Sequence, residues 1–183
     1  MALYHESGLQ LDLPDGAHVR LGSTDSYRPL SGQHLKEMDF AWLHDDRLVL
    51  LELKDFSLTT DALSPTDFLP VKEQASPRRF DDLVAKITDT LMMLLAAWGA
   101  TRWGQGLRAE LPEPMRQPLK LVVAVAVNLP AHLKVHLTAL RAALNDRVRA
   151  RLKLADVASV ALLDYDTLLQ RPTFSPYVRR LPA

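Results

Sequence analysis

Apolar positions recur three or four residues apart between Arg78 and Trp98: Phe80, Leu83, Val84, Ile87, Leu91, Leu94, Leu95 and Trp98. That period predicts an amphipathic helix laid on a core, and Gly99 is a natural stop. Residues 119–127, LKLVVAVAV, are nearly all apolar and rich in valine, as in a strand covered on both faces. A second helix is predicted over residues 131–152, opened by Pro130, with Leu133, Leu137, Leu140, Leu144 and Val148 on one side. Residues 157–163 read as another buried strand, after which Asp164 or Asp166 is placed to cap a short helix ending at Gln170.

The front of the chain reads as short strands and turns. Residues 9–13 and 17–21 flank Pro14-Asp15-Gly16, and residues 37–43 and 47–54 flank His44-Asp45-Asp46. Residues 57–77 and 99–118, punctuated by proline and glycine, are predicted loops. Strands first, then helix, strand, helix, strand, predict a single α/β domain over residues 1–183. Its mixed sheet has an antiparallel front hairpin and crossover helices behind. The core is expected over about 17–163, with a basic, proline-containing tail over 171–183.

Length and composition agree with this. The chain has 183 residues, 48% apolar and 24% charged, ordinary for one globular domain. It has no cysteine, so a disulfide framework, a thiolate zinc site and a cysteine nucleophile are excluded. No apolar run approaches the length of a membrane span. The N-terminal residues lack the basic start and apolar core of a signal peptide, so a cytoplasmic location is expected. The net charge of zero conceals an asymmetry. Residues 1–100 carry 9 Lys or Arg against 16 Asp or Glu, and residues 101–183 carry 13 against 6. A basic half is either the footprint of a nucleic-acid partner or the counterweight of the acidic half.

The most informative stretch is KEMDFAWLHDDRLVLLELKDF, residues 36–56. If Asp45-Asp46 form a two-residue hairpin loop, Leu43 faces Leu48, Ala41 faces Leu50, Asp39 faces Glu52 and Glu37 faces Lys54. Side chains alternate faces along a strand. One face then shows Met38, Phe40, Trp42, Val49, Leu51 and Leu53. The other ends in Glu37, Asp39, Glu52 and Lys54. Opposed carboxylates on adjacent strands repel. Lys54 offsets part of this, and a hard divalent cation with a preference for oxygen ligands would offset the rest.

Asp39, followed by Glu52-Leu53-Lys54 on the next strand, resembles the PD-(D/E)xK, or restriction-endonuclease-like, nuclease superfamily. The hairpin, helix, strand, helix order over roughly 17–163 is also similar to that family's core. The resemblance implies a Mg²⁺- or Mn²⁺-dependent nuclease hydrolysing phosphodiester bonds, in DNA by expectation. Asp39, Glu52 and Lys54 would be catalytic. The metal would be held by Asp39, Glu52 and the Leu53 backbone carbonyl, with Glu37 a further geometric candidate. Lys54 would orient or deprotonate the attacking water. Cutting both strands would require a homodimer or a partner subunit. Met38 stands where the motif's proline would be, and the first 16 residues offer no helix bearing a further glutamate. A catalytically inactive relative that binds nucleic acid or protein is the alternative implied by that departure.

Lys86 is the helix-borne polar residue that the family pattern suggests, and it also stands four residues from Asp82, the spacing of a surface ion pair. Arg141, Arg147, Arg149, Arg151 and Lys153 form a basic run on the second helix, read either as weak phosphate contacts or as a solvated face. His132 and His136 are four apart but lack the intervening glutamate of a zinc hydrolase, and read as a surface pair.

Overall fold

The computed structural model describes residues 1–57 and 63–181. Its described residues form two sheets. In the first, β1 (Ala2–Glu6) and β2 (Leu9–Leu13) make an antiparallel hairpin, and β8 (Val178–Arg180) pairs with the other edge of β2. In the second, the order is β3 (His18–Val19), β4 (Phe40–His44), β5 (Arg47–Asp55), β6 (Lys120–Asn128) and β7 (Val160–Asp164). β3, β4 and β5 pair antiparallel, whereas β5, β6 and β7 pair parallel. Parallel neighbours need crossovers. Helix α1 (Arg78–Trp98), followed by α2 (Arg102–Glu110), lies between β5 and β6. Helix α3 (Leu137–Leu154) lies between β6 and β7. The expected mixed α/β sheet, with its antiparallel front hairpin and helical crossovers, is therefore present.

The five-stranded sheet buries both faces. On one, Ala41, Leu48, Leu50, Val123 and Val125 pack with the apolar stripes of α1 and α3. On the other, Phe40, Trp42, Val49 and Leu51 meet Leu9, Leu11 and Leu13 of β2. The short α4 (Tyr165–Gln170) closes this side, capped by the Asp164 carboxylate, which accepts from the Thr167 amide at 2.6 Å.

Several expectations are corrected. Residues 9–13 do not pair with 17–21. They pair with Ala2–Glu6, because Ser7 and Gly8 both adopt positive φ, +52° and +77°, the geometry of a two-residue hairpin turn. The predicted loop 99–118 contains α2. Its glycines serve packing, since a Cβ on Gly104 would run into the Ala96 carbonyl of α1. The tail is not separate from the core, for Phe174 and Val178 are buried beside Trp42 and Leu11. The second helix begins at Leu137, after a 3₁₀ stretch over Ala131–His136. The predicted loop 57–77 includes a 3₁₀ turn at Pro65–Asp67, and residues 58–62 of that loop lie outside the described residues.

The front hairpin has the expected register. Phe40 pairs with Leu51, Trp42 with Val49 and His44 with Arg47, around the loop Asp45-Asp46 with Asp45 at φ +54°. The ladder stops at Phe40, however. Met38 leaves the face of Phe40 and Trp42 and joins the core under α1, where its amide donates to the Thr90 hydroxyl at 2.9 Å.

Candidate functional site

Glu52 and Lys54 stand two apart on β5, so both side chains leave the same face of the strand. That face is the one covered by α1. One residue before the start of β4, Asp39 turns onto β5. Its Oδ2 accepts the Leu53 amide at 2.8 Å, taking the place of a ladder carbonyl. The preceding segment is tied along α1, because the Lys36 amide donates to Asp89 at 3.0 Å and Met38 to Thr90. Helix α1 then sends Lys86 between the carboxylates.

The four head groups converge. Lys86 Nζ lies 2.7 and 2.9 Å from the two Glu52 oxygens and 3.1 Å from Asp39 Oδ1. Lys54 Nζ lies 2.8 Å from Glu52 Oε1. The Glu52 side chain is fully buried, Lys86 is 18% exposed and Lys54 is 33% exposed. Burial, and then the neighbouring Asp39 charge, push the Glu52 carboxyl up to about 7 against the pull of both lysines. Burial acts against the Lys86 ammonium, yet Glu52 and Asp39 outweigh it and hold its proton more firmly than usual.

This corrects two readings of the sequence. Lys86 does not pair with Asp82, whose carboxylate is taken by Lys36. Glu37 does not face Lys54. Its Oε2 accepts from the Tyr27 hydroxyl, and Gly22 leaves room for its other oxygen, since a Cβ there would stand 2.6 Å from Oε1. Glu37 and Asp39 share a hollow of about 240 Å³ with Arg20, Gly22 and Ser23. Arg20 is held there by the Phe40 ring, 4.8 Å from its centroid, and by Glu6 at 3.3 Å. Tyr27, Arg20 and Thr90 were missed in the sequence. Only Thr90 carried a signal, as a polar residue inside the apolar stripe of α1.

The basic run of α3 is not brought to this site. Arg141 donates to the Leu162 carbonyl at 3.1 Å, and Arg149 pairs with Asp146 at 2.7 Å. Arg147 and Lys153 are exposed. Arg151 lies beside Met92 and Leu95, beyond Lys86 along α1 and toward the end of the sheet where β6 begins. His132 and His136 sit on a 3₁₀ stretch, where residues four apart do not share a face.

Asp39 and Glu52 are the carboxylates that could share an ion, and both already face one cation, the Lys86 ammonium. Among the described residues no three His, Asp or Glu side chains gather as a ready ligand set. No single helix among them is long and apolar enough to cross a membrane. Comparison of the chain with protein-family models, with curated proteins and with solved structures finds no match.

Proposed function

We propose that the chain is a metal-dependent phosphodiesterase acting on DNA, with a restriction-endonuclease-like core centred on β4, β5, α1 and β6. The observation that carries this is the convergence of buried Glu52 with Asp39, Lys54 and Lys86 at the end of the front hairpin. Such a cluster is costly to bury and gives the core nothing that leucines would not. Asp39 Oδ1 and Glu52 would hold Mg²⁺ or Mn²⁺. Leu53 turns its amide toward the side that β4 vacates, and a residue's N–H and C=O point the same way on a strand, so its carbonyl suits a third oxygen. The ion, when bound, supplies a nucleophilic water at neutral pH and neutralises charge on the phosphate. Lys54, a third exposed and on the same face, would orient or deprotonate the attacking water. Lys86 draws the two carboxylates toward one point.

A second reading is favoured by that same lysine. An ammonium already satisfies both carboxylates, as in a non-catalytic relative that binds nucleic acid or protein through the scaffold. Cleavage of plasmid and single-stranded DNA with Mg²⁺ or Mn²⁺ decides between them. Lys54→Ala should keep DNA binding and lose about 10²-fold or more in rate, the scale of a positioned acid–base group. Wild-type protein that binds DNA and never cuts it establishes the second reading. Protein that does neither refutes both.

A further inference from the structure

A second hollow, of about 480 Å³, opens where α1 begins, lined by Arg78 and Arg79 together with Thr66, Asp67 and Asp82. Both carboxylates in it are engaged. Asp82 is paired with Lys36. Asp67 caps its own turn, accepting the Ser64 amide at 2.6 Å and the Ser64 hydroxyl at 3.0 Å. Neither guanidinium forms an ion pair among the described residues, although the charge of Arg79 adds to the Ser64 contacts that hold the Asp67 carboxyl below its ordinary value. Arg79 is nonetheless positioned, its guanidinium 5.6 Å from the centroid of the Phe56 ring.

The place of this hollow is what gives it meaning. Phe56 follows Lys54 by two residues, so Arg79, set against the Phe56 ring, stands beside the end of β5 that carries the site. Arg79 and Lys86 are seven residues apart on α1, two turns on one side of the helix, about 10 Å along its axis. A stacked nucleic-acid strand rises about 3.4 Å per nucleotide, so that distance spans about three nucleotides. Guanidinium forks match phosphate oxygens and, unlike lysine, bind them two at a time.

We infer that Arg78 and Arg79 hold a backbone phosphate of the substrate strand about three nucleotides from the bond that is cut. The inference rests on the phosphodiesterase reading of the Asp39–Glu52 site and adds where the strand runs. It also shifts the expected phosphate contacts from α3 to the first turn of α1.

The test pairs protein and strand variants. Cleavage by the wild-type chain first maps the cut bond on a synthetic oligonucleotide. Binding is then measured by fluorescence anisotropy in a Lys54→Ala background, with neutral methylphosphonate linkages placed singly along the strand. One linkage near the third nucleotide from the cut should weaken binding several-fold. In Arg78→Gln/Arg79→Gln that linkage should make no further difference, and the slope of log Kd against log salt should flatten by about 0.7–0.9 per lost contact. Arg78→Lys/Arg79→Lys, which keeps the charge, should retain most of the slope and so excludes misfolding as the cause. Two results overturn the inference while leaving the catalytic reading intact. One is a wild type that cuts DNA but shows no linkage whose effect the double variant erases. The other is a larger loss of binding in Arg147→Gln/Arg149→Gln/Arg151→Gln than in the α1 variant. If inorganic phosphate raises the melting temperature of the wild type only, and the linkage scan is flat, the hollow is a free-phosphate site and the strand assignment falls. A wild type that neither binds nor cuts removes the inference together with the reading beneath it.

Discussion

Glu52 should make the folded protein less stable at neutral pH than in mild acid. In the unfolded chain this carboxyl ionises at its ordinary value near 4.5, whereas in the fold burial and then the Asp39 charge raise it to about 7. Between those two pH values the folded state keeps a proton that the unfolded state has released. The stability so conferred is complete below about 4.5 and is lost as pH rises through about 7. Each pH unit is worth about 1.4 kcal/mol, so the full loss is about 3 kcal/mol. The perturbation that isolates it is Glu52→Gln, equal in size and unable to titrate. Urea denaturation of both proteins in EDTA at pH 5, 6, 7 and 8 gives their stabilities by linear extrapolation. Groups away from the site cancel in the difference, and in the wild type Glu52 and Asp39 hold the Lys86 proton more firmly than usual, so Lys86 stays charged across this window. The wild type should lose most of that 3 kcal/mol relative to the variant between pH 5 and 8. A difference that stays flat refutes the placement of Glu52 as a buried carboxyl opposed to Asp39.

Two further outcomes test the framework around the site. Gly104→Ala must push α2 off α1 at the Ala96 carbonyl and should cost about 1–3 kcal/mol, as overpacked contacts do; an unchanged urea midpoint would mean the helices do not touch there. Phe174→Ala should cost about 3–5 kcal/mol, the range for a buried aromatic, when measured the same way. A loss under about 1 kcal/mol would return residues 171–183 to the loose tail that their composition suggested.

What could be read in advance follows from the physics of each signal. Strict alternation and a two-residue loop fix hairpin register, so the pairing of residues 40–44 with 47–51 was legible. So were the valine-rich strand, the long helix and a cap at Asp164 or Asp166, which the structure gives to Asp164. The glycines of α2 were misread because a glycine that permits a close helix contact has the same letter as one that makes a turn. The pairing of Ala2–Glu6 with Leu9–Leu13 depends on the positive φ of Ser7 and Gly8, which competed with an equally plausible turn at Pro14-Asp15-Gly16. In the site, Asp39, Glu52 and Lys54 are visible because they lie close in sequence, on or beside the two strands of one hairpin. The partnership of Lys86 with Glu52 is not, since it spans 34 residues and turns on which face of α1 meets the sheet. Lys36 was equally invisible as the residue that frees Lys86 by occupying Asp82.

The carboxylate of Asp39 spends one oxygen on the Leu53 amide and offers the other to the site. Lys54 has no such second duty, for among the described residues its ammonium meets only Glu52. The two positions therefore answer to different selective pressures. A descendant that gave up chemistry would still need an acceptor at position 39 to finish the sheet, while position 54 would be released to drift. Across such a lineage the aspartate would testify to the architecture and the lysine to the reaction, so that a surviving Asp39 alone would be no record of activity.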